Sequence, residues 1–225
     1  MTKFAMIEAC VFDAYGTLFD VNAAAERCRA ELGDKFQPLA DLWRTKQLQY
    51  TWLRGMMGDH APFDRVTADA LDYGLAALKI DNKPLRDKLL GLYMTLDAYP
   101  EVKDALGRLK SAGKRLAILS NGSPRMLDAA VGSAGLAHLL DAVISVEDVK
   151  VFKPSPRVYR LAVERLGLPE GRMAFMSSNA WDACAAARFG FRVVWVNRFA
   201  QPRERLTAEP DAEIRNLAEL PDLLA

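Results

Sequence analysis

The 225-residue chain reads as an α/β protein, with a Rossmann-like, doubly wound parallel sheet as core and a helical cap inserted after the first strand. Three observations predict this. From residue 100 onward, short runs rich in Val, Ile and Phe alternate with amphipathic stretches, the pattern of successive βα units. One further run of the same kind, residues 7–13 (IEACVFD), stands alone near the start. Between the two, up to about residue 95, helical periodicity continues with few strand-like runs.

Residues 7–13 form a compact apolar run ending at Asp13, as a strand buried on both faces reads. Tyr15-Gly16-Thr17 turns the chain. Residues 23–32, 39–56, 66–78 and 85–92 carry helical spacing, with breaks at Gly33, Gly58, Pro62 and Asn82-Lys83-Pro84. This places the core at residues 1–18 and 96–225 and the cap at 19–95. After Pro100, residues 102–112 form a helix closed by Gly113, and 115–119 a strand ending at Ser120. Residues 126–134 form a helix entered through Ser123 as N-cap and Pro124 as first helical residue. A strand at 142–146, a helix at 156–166 capped by Ser155, and a strand at 173–176 ending at Ser177 follow. A helix at 181–189 stopped by Gly190 leads to a strand at 192–196. The tail, 212–224, reads as one short strand and a helix.

Composition narrows the function. Thirty Lys and Arg stand against 29 Asp and Glu, for a formal charge of +1. With no basic block, a nucleic-acid partner has no electrostatic support. The hydrophobic share of 51% argues for a packed core rather than disorder. A chain this long buries roughly 70% of its unfolded surface and needs no disulfide staple. Cys10, Cys28 and Cys184 are odd in number and match no metal or disulfide spacing, so they read as reduced packing residues, as in a cytosol. Cys184 lies close in sequence to the strand-end residues discussed next, but no His near it in sequence supports a reactive thiol. Glu8 and Asp13 interrupt any signal-like apolar run, and no apolar stretch is long enough to span a bilayer. A cytoplasmic protein with no membrane partner is expected.

Doubly wound sheets bind ligands at the carboxyl ends of their strands. Asp13, Ser120-Asn121 and Ser177-Ser178-Asn179 each end a predicted strand, and Lys153 lies just beyond a fourth. Four polar stations, an acid and a base among them, are expected to meet in one crevice.

The stations carry motifs. DAYGTLF (residues 13–19) resembles the first motif of the haloacid dehalogenase superfamily, LSNGS (119–123) its second, KPSP (153–156) its third and SSNAWD (177–182) its fourth. WRTKQLQYTW (43–52) resembles the cap segment of the L-2-haloacid dehalogenases within it. The match runs in order along essentially the whole chain. Most members of the superfamily are magnesium-dependent phosphatases, with a second Asp in the first motif as general acid and carboxylates opening the fourth. Here Tyr15, Ser177 and Ser178 stand at those positions. Hard cations need carboxylate oxygens; only Asp13 and Asp182 remain, with Lys153 competing for both. The charges of Asp13, Asp182, Arg44 and Lys153 sum to zero, which suits a monoanionic carboxylate better than a phosphate dianion. The resemblance therefore implies an enzyme without metal or cofactor that takes small (S)-2-haloacids to (R)-2-hydroxyacids and halide through a covalent aspartyl ester, as a homodimer. A small-metabolite phosphatase is the alternative, and a module that only binds small carboxylates is a third reading.

The same resemblance implies the site residues. Asp13 attacks C2 of the substrate, and Thr17 holds its rotamer. Ser120, with the N–H groups of the Ala14 and Tyr15 turn, binds the substrate carboxylate, and Lys153 neutralises charge between that carboxylate and Asp13. Arg44, Asn121 and Trp181 meet the halide, a large, weakly hydrated anion suited to a guanidinium and an aromatic edge. Tyr15, Leu48, Phe63 and Trp181 wall the pocket; Leu48 and Phe63 read equally well as core. Tyr159 braces Lys153 or Asp13, or packs in the core. Ser177, Asn179 and Asp182 position the hydrolytic water, with Asp182 either taking its proton or only orienting Lys153. His60, beside Pro62, is expected to be solvent-exposed.

Overall fold

The computed structural model describes residues 4–21 and 26–225. Six parallel strands form one sheet in the order β3-β2-β1-β4-β5-β6. They are β1 Ala9–Phe12, β2 Arg115–Ser120, β3 Ala142–Ser145, β4 Met173–Ser177, β5 Arg192–Val196 and β6 Ala212–Ile214. Every residue of β1 is buried, which is why its sequence is continuously apolar instead of alternating. The sheet runs outward in both directions from β1, so the order reverses there and a crevice opens at its carboxyl end. Register aligns the exits: Phe12 lies level with Ile118 of β2 and Met176 of β4. Asp13 and Ser177 therefore leave neighbouring strands side by side.

Among the described residues, the segment from Arg29 to Tyr93 is mostly helical. The long helix Phe36–Met57 packs along Phe63–Ala77, followed by Lys83–Tyr93. Phe36, Leu39, Trp43, Gln47 and Thr51 form the buried stripe of the long helix at spacings of three and four. It meets the facing helix at Gly74, where a β-carbon would come within 3.0 Å of the Leu39 side chain. The break predicted at Asn82-Lys83-Pro84 works as a helix start, with the Asn82 side chain accepting the Leu85 N–H at 3.0 Å. Two of the helices begin three residues ahead of their predicted starts. Of the predicted helix over 23–32, residues 23–25 lie outside the described residues; the described part holds a short helix, Arg29–Leu32. Gly33 does not break the chain into a loop, because a 3-10 turn, Gly33–Lys35, runs straight on into the long helix. Ser123 and Ser155 do occupy N-cap positions ahead of Pro124 and Pro156, but neither hydroxyl makes a capping hydrogen bond.

The chain leaves and re-enters the sheet region through one neck. The Tyr99 N–H donates to the Leu18 carbonyl at 3.0 Å and Asp20 N–H to the Asp97 carbonyl at 2.9 Å. Arg198, in the loop after β5, donates to the Thr17 carbonyl, pairs with Glu101 and lies 3.8 Å over the Tyr99 ring. All three cysteines are free and buried, and burial pushes the Cys10 thiol up to about 12. Among the described residues no helix is long and apolar enough to cross a membrane.

Candidate active site

Asp13 leaves β1 into a tight turn in which the Ala14 carbonyl accepts from the N–H groups of Thr17, Leu18 and Phe19. Gly16 makes the turn possible: its φ is +83°, and a β-carbon there would come to 3.0 Å from the Ser178 hydroxyl. The Asp13 carboxylate is 6% exposed. Its Oδ1 accepts from Lys153 Nζ at 2.9 Å. Its Oδ2 accepts from Asn179 Nδ2 at 2.9 Å, Thr17 Oγ1 at 3.3 Å and, more weakly, Ser177 Oγ at 3.5 Å.

Lys153 is 1% exposed, and its ammonium lies 2.9 Å from both Asp13 Oδ1 and Asp182 Oδ2. Burial opposes its charge, but the two carboxylates together outweigh burial and hold its pKa above the usual lysine value. Its backbone N–H is fixed by Asn121 Oδ1 at 2.9 Å. Asp182, in the first turn of helix Ala180–Phe189, is fully buried. Its second oxygen accepts from the Tyr159 hydroxyl at 2.6 Å. Burial raises the Asp182 carboxyl; the Asp13 charge adds to this and Lys153 opposes it. Burial, together with the charge of Asp182, also lifts the Tyr159 hydroxyl well above its ordinary value, so it remains a donor. Tyr159 packs in the core against Phe175 and Phe191, the second of the two expectations, while its hydroxyl braces Asp182 rather than Lys153 or Asp13.

The loop after β2 forms the next wall. Ser120 is fully buried and its Oγ accepts the Gly122 N–H at 3.0 Å. Gly122 is required: a β-carbon there would lie 2.8 Å from the Tyr15 ring. Tyr15 stacks on Phe63 with centroids 5.9 Å apart, and Phe63 packs on Phe152. Phe63 is therefore part of the core, whereas Leu48 is half-exposed and stays outside it.

Arg44 reaches the core from the long helix. Its Nη2 donates to Asn179 Oδ1 at 2.9 Å and its Nη1 to Gln47 Oε1 at 2.8 Å. Asn179 therefore joins Arg44 to Asp13. Trp181 meets Trp52 of the long helix edge-on, with centroids 5.5 Å apart. A cleft of about 470 Å³ between that helix and the 151–155 loop is lined by Trp52, Phe152, Lys153 and Pro154.

The structure thus gathers Asp13, Thr17, Lys153, Tyr159, Ser177, Asn179 and Asp182 into one network and attaches Arg44 to it. Ser120 and Asn121 border it through the loops they pin. His60 is not solvent-exposed as expected. It is half-buried, 2.9 Å from Glu147 and packed on Phe152, a partnership across 87 residues that local sequence cannot register. Cys184 is buried, and burial raises its thiol further, the opposite of activation. Sequence reasoning assigned no role to Gln47, Thr67 or the tie between Ser178 N–H and Thr17 Oγ1 at 2.8 Å. Gln47 carried one signal, a polar residue inside the apolar stripe of an amphipathic helix. For a metal, the donor set is thin: Asp13 and Asp182 are both engaged by Lys153, and no cluster of three His, Cys, Asp or Glu suited to a metal occurs among the described residues.

Fold and site together define the class, a Rossmann-like α/β hydrolase whose polar groups converge at the carboxyl ends of its central strands. A family profile described as haloacid dehalogenase-like hydrolase matches residues 7–190, and the chain belongs to that family. It is 44% identical over 219 residues to (S)-2-haloacid dehalogenase 1 of Pseudomonas sp. (strain CBS-3), covering 97% of this chain and 96% of that one. To (S)-2-haloacid dehalogenase 4A of Burkholderia cepacia it is 44% identical over 220 residues, covering 97% and 95%. Among solved structures it resembles the L-2-haloacid dehalogenase from Xanthobacter autotrophicus with chloropropionic acid covalently bound, with a TM-score of 0.90, 39% identity and coverage of 97% and 98%.

Proposed function

We propose that the chain hydrolyses small (S)-2-haloacids to (R)-2-hydroxyacids and halide through an ester on Asp13, without a metal. One observation carries this reading. Asp13 is held by Lys153, Asn179, Thr17 and Ser177, and no second carboxylate stands at position 15, 177 or 178 to serve phosphoryl chemistry.

The Asp13 carboxylate attacks C2 opposite the carbon–halogen bond. The C–O ester bond forms as the carbon–halogen bond breaks, and the pair of electrons leaves with the halide. A carboxylate is a weak nucleophile, but fixed alignment in a dry site supplies effective molarities of about 10⁵–10⁸ M. Four donors fix the rotamer of Asp13, and the Tyr15–Phe63 stack excludes water. Ser120 and the N–H groups at Ala14 and Tyr15 receive the substrate carboxylate, and Lys153 offsets the two negative charges. Arg44 meets the leaving halide with Trp181 and the Nδ2 of Asn121, whose Oδ1 is already engaged. Leu48 lines the pocket beside Arg44. Water then attacks the Asp13 carbonyl carbon, positioned by Ser177 and Asn179. Asp182 accepts its proton: burial raises the basicity of this carboxylate, and each oxygen keeps a lone pair beyond the one turned to Lys153 or Tyr159. The tetrahedral intermediate then collapses, the bond between the Asp13 carbonyl carbon and the ester oxygen breaks, and the departing 2-oxyacid takes up the proton that Asp182 accepted; the C2–O bond is untouched, so one inversion at C2 results.

In this reading residues 1–18 and 96–225 form the catalytic core and 19–95 a cap that delivers Arg44, in a cytoplasmic homodimer. Sedimentation at micromolar concentration tests the dimer. The test of the chemistry is a single turnover in ¹⁸O-water with enzyme in excess. Product carrying ordinary oxygen, with the label on Asp13, is expected. Label in the first product would mean direct attack by water.

A further inference from the structure

The long helix Phe36–Met57 buries an amide in its apolar stripe. Gln47 is 1% exposed, and its two ends have different partners. Its Nε2 donates to Thr67 Oγ1 at 2.8 Å, and its Oε1 accepts from Arg44 Nη1 at 2.8 Å. Thr67 is buried as well, and its hydroxyl donates to the Phe63 carbonyl at 2.7 Å. The Thr67 carbonyl is in turn held by the Trp43 indole N–H at 2.9 Å. The order of donors leaves no freedom. The Thr67 hydroxyl hydrogen is committed to Phe63, so Thr67 presents a lone pair to Gln47. The amide must place its nitrogen there, and its oxygen is turned toward Arg44. A guanidinium only donates, so an oxygen is the one end that can hold it.

We propose that Gln47, clamped by Thr67, is a positioning residue that aims Arg44 at the leaving halide while leaving its charge unspent. The inference rests on the dehalogenase reading above. Both partners of the guanidinium, Gln47 and Asn179, are neutral amides. A glutamate at position 47 could hold the same nitrogen but would cancel the charge the halide needs. The amide supplies direction without neutralisation. Asn179 repeats the device on the other side: its oxygen takes Arg44, which turns its nitrogen to Asp13 Oδ2. One hydrogen-bonded row thus sets the attacking carboxylate of Asp13 and the halide-binding guanidinium of Arg44 relative to each other.

Four variants of the full chain test this, Gln47→Glu, Gln47→Leu, Thr67→Val and Thr67→Ser. Each is measured for kcat and KM with (S)-2-chloropropionate, for inhibition by bromide, for bromide quenching of tryptophan fluorescence, and for thermal unfolding. Gln47→Glu is expected to weaken bromide binding about tenfold or more, in inhibition and in quenching alike. Gln47→Leu, which adds no charge, is expected to lower kcat about tenfold while bromide affinity stays within about threefold. Thr67→Ser keeps the clamp and should match the parent within about twofold, whereas Thr67→Val should follow Gln47→Leu. Equal loss of bromide affinity in the two Gln47 variants would overturn the proposal. So would equal behaviour of the two Thr67 variants, which also decide the matter if a Gln47 variant fails to fold. A parent enzyme that is quenched by bromide but releases halide from no 2-haloacid sinks the dehalogenase reading, and the quenching series then judges the role of Gln47 alone. A parent neither quenched nor active overturns both.

Discussion

Lys153 lies between two buried carboxylates, and its removal is the harshest single change the site can suffer. Lys153→Met leaves Asp13 and Asp182 side by side without a counter-charge. Loss of one partner from a buried charged group costs about 3–5 kcal/mol. The sign of the pH effect follows. Without Lys153 nothing offsets burial and the neighbouring charge at Asp182, so its carboxyl is raised further in the folded state, and stability is lost as pH rises through that value and partly restored on acidification. Urea unfolding at two pH values checks this. Tyr159→Phe is milder. It strips the donor from Asp182 Oδ1, an unpaired buried acceptor worth about 1–3 kcal/mol. The Tyr159 hydrogen bond also lowers the Asp182 pKa against the upward push of burial. On the proposal that Asp182 takes the proton of the hydrolytic water, it must be ionised, so kcat is expected to fall as pH drops through a value above the ordinary aspartate one. In Tyr159→Phe that acid limb should move to still higher pH. A limb that stays in place would remove Asp182 from the rate equation.

The loops after β1 and β2 touch at Tyr15 and Gly122, so the walls of the pocket are set by how closely two elements approach. Gly122→Ala would drive a methyl into a ring already backed by Phe63. We expect a loss of about 1–3 kcal/mol, as for an overpacked core, and a raised KM for the smallest 2-haloacids. Melting curves and a substrate series check it. This closeness was not legible in the sequence, where Gly122 looks like any turn glycine. The strands were legible, because burial on both faces writes a continuous apolar run. Two helix starts were legible only to within a turn. Phe36-Gln37-Pro38 and Phe63-Asp64-Arg65 mix polar residues and proline into the first turn, and no side-chain cap marks either one. The helices entered at Pro124 and Pro156 were placed by proline, not by the serine hydroxyls beside it.

Across the whole molecule, the strand-end stations of the sheet and the pairing of Lys153 with Asp13 were foreseen, and the particular ties between the helical segment and the sheet region were not. Asp13, Ser120, Lys153 and Ser177 follow from sheet topology alone. Arg44 to Asn179 and His60 to Glu147 depend on how the helical segment sits on the sheet, which no local pattern encodes. The donor set also predicts behaviour toward metals: turnover in chelator should equal turnover in magnesium within about twofold, since Lys153 occupies both carboxylates. Strong magnesium-dependent cleavage of an aryl phosphate would contradict it. The neck at Leu18 and Tyr99 has a consequence for the history and re-use of the chain. Because departure and return are hydrogen-bonded to one another, the helical segment is one sentence set between two commas in a text that continues unbroken across it. Two adjacent junctions, at Leu18–Asp20 and Asp97–Tyr99, are therefore the places at which the whole segment, Arg44 included, is expected to be exchangeable as one unit.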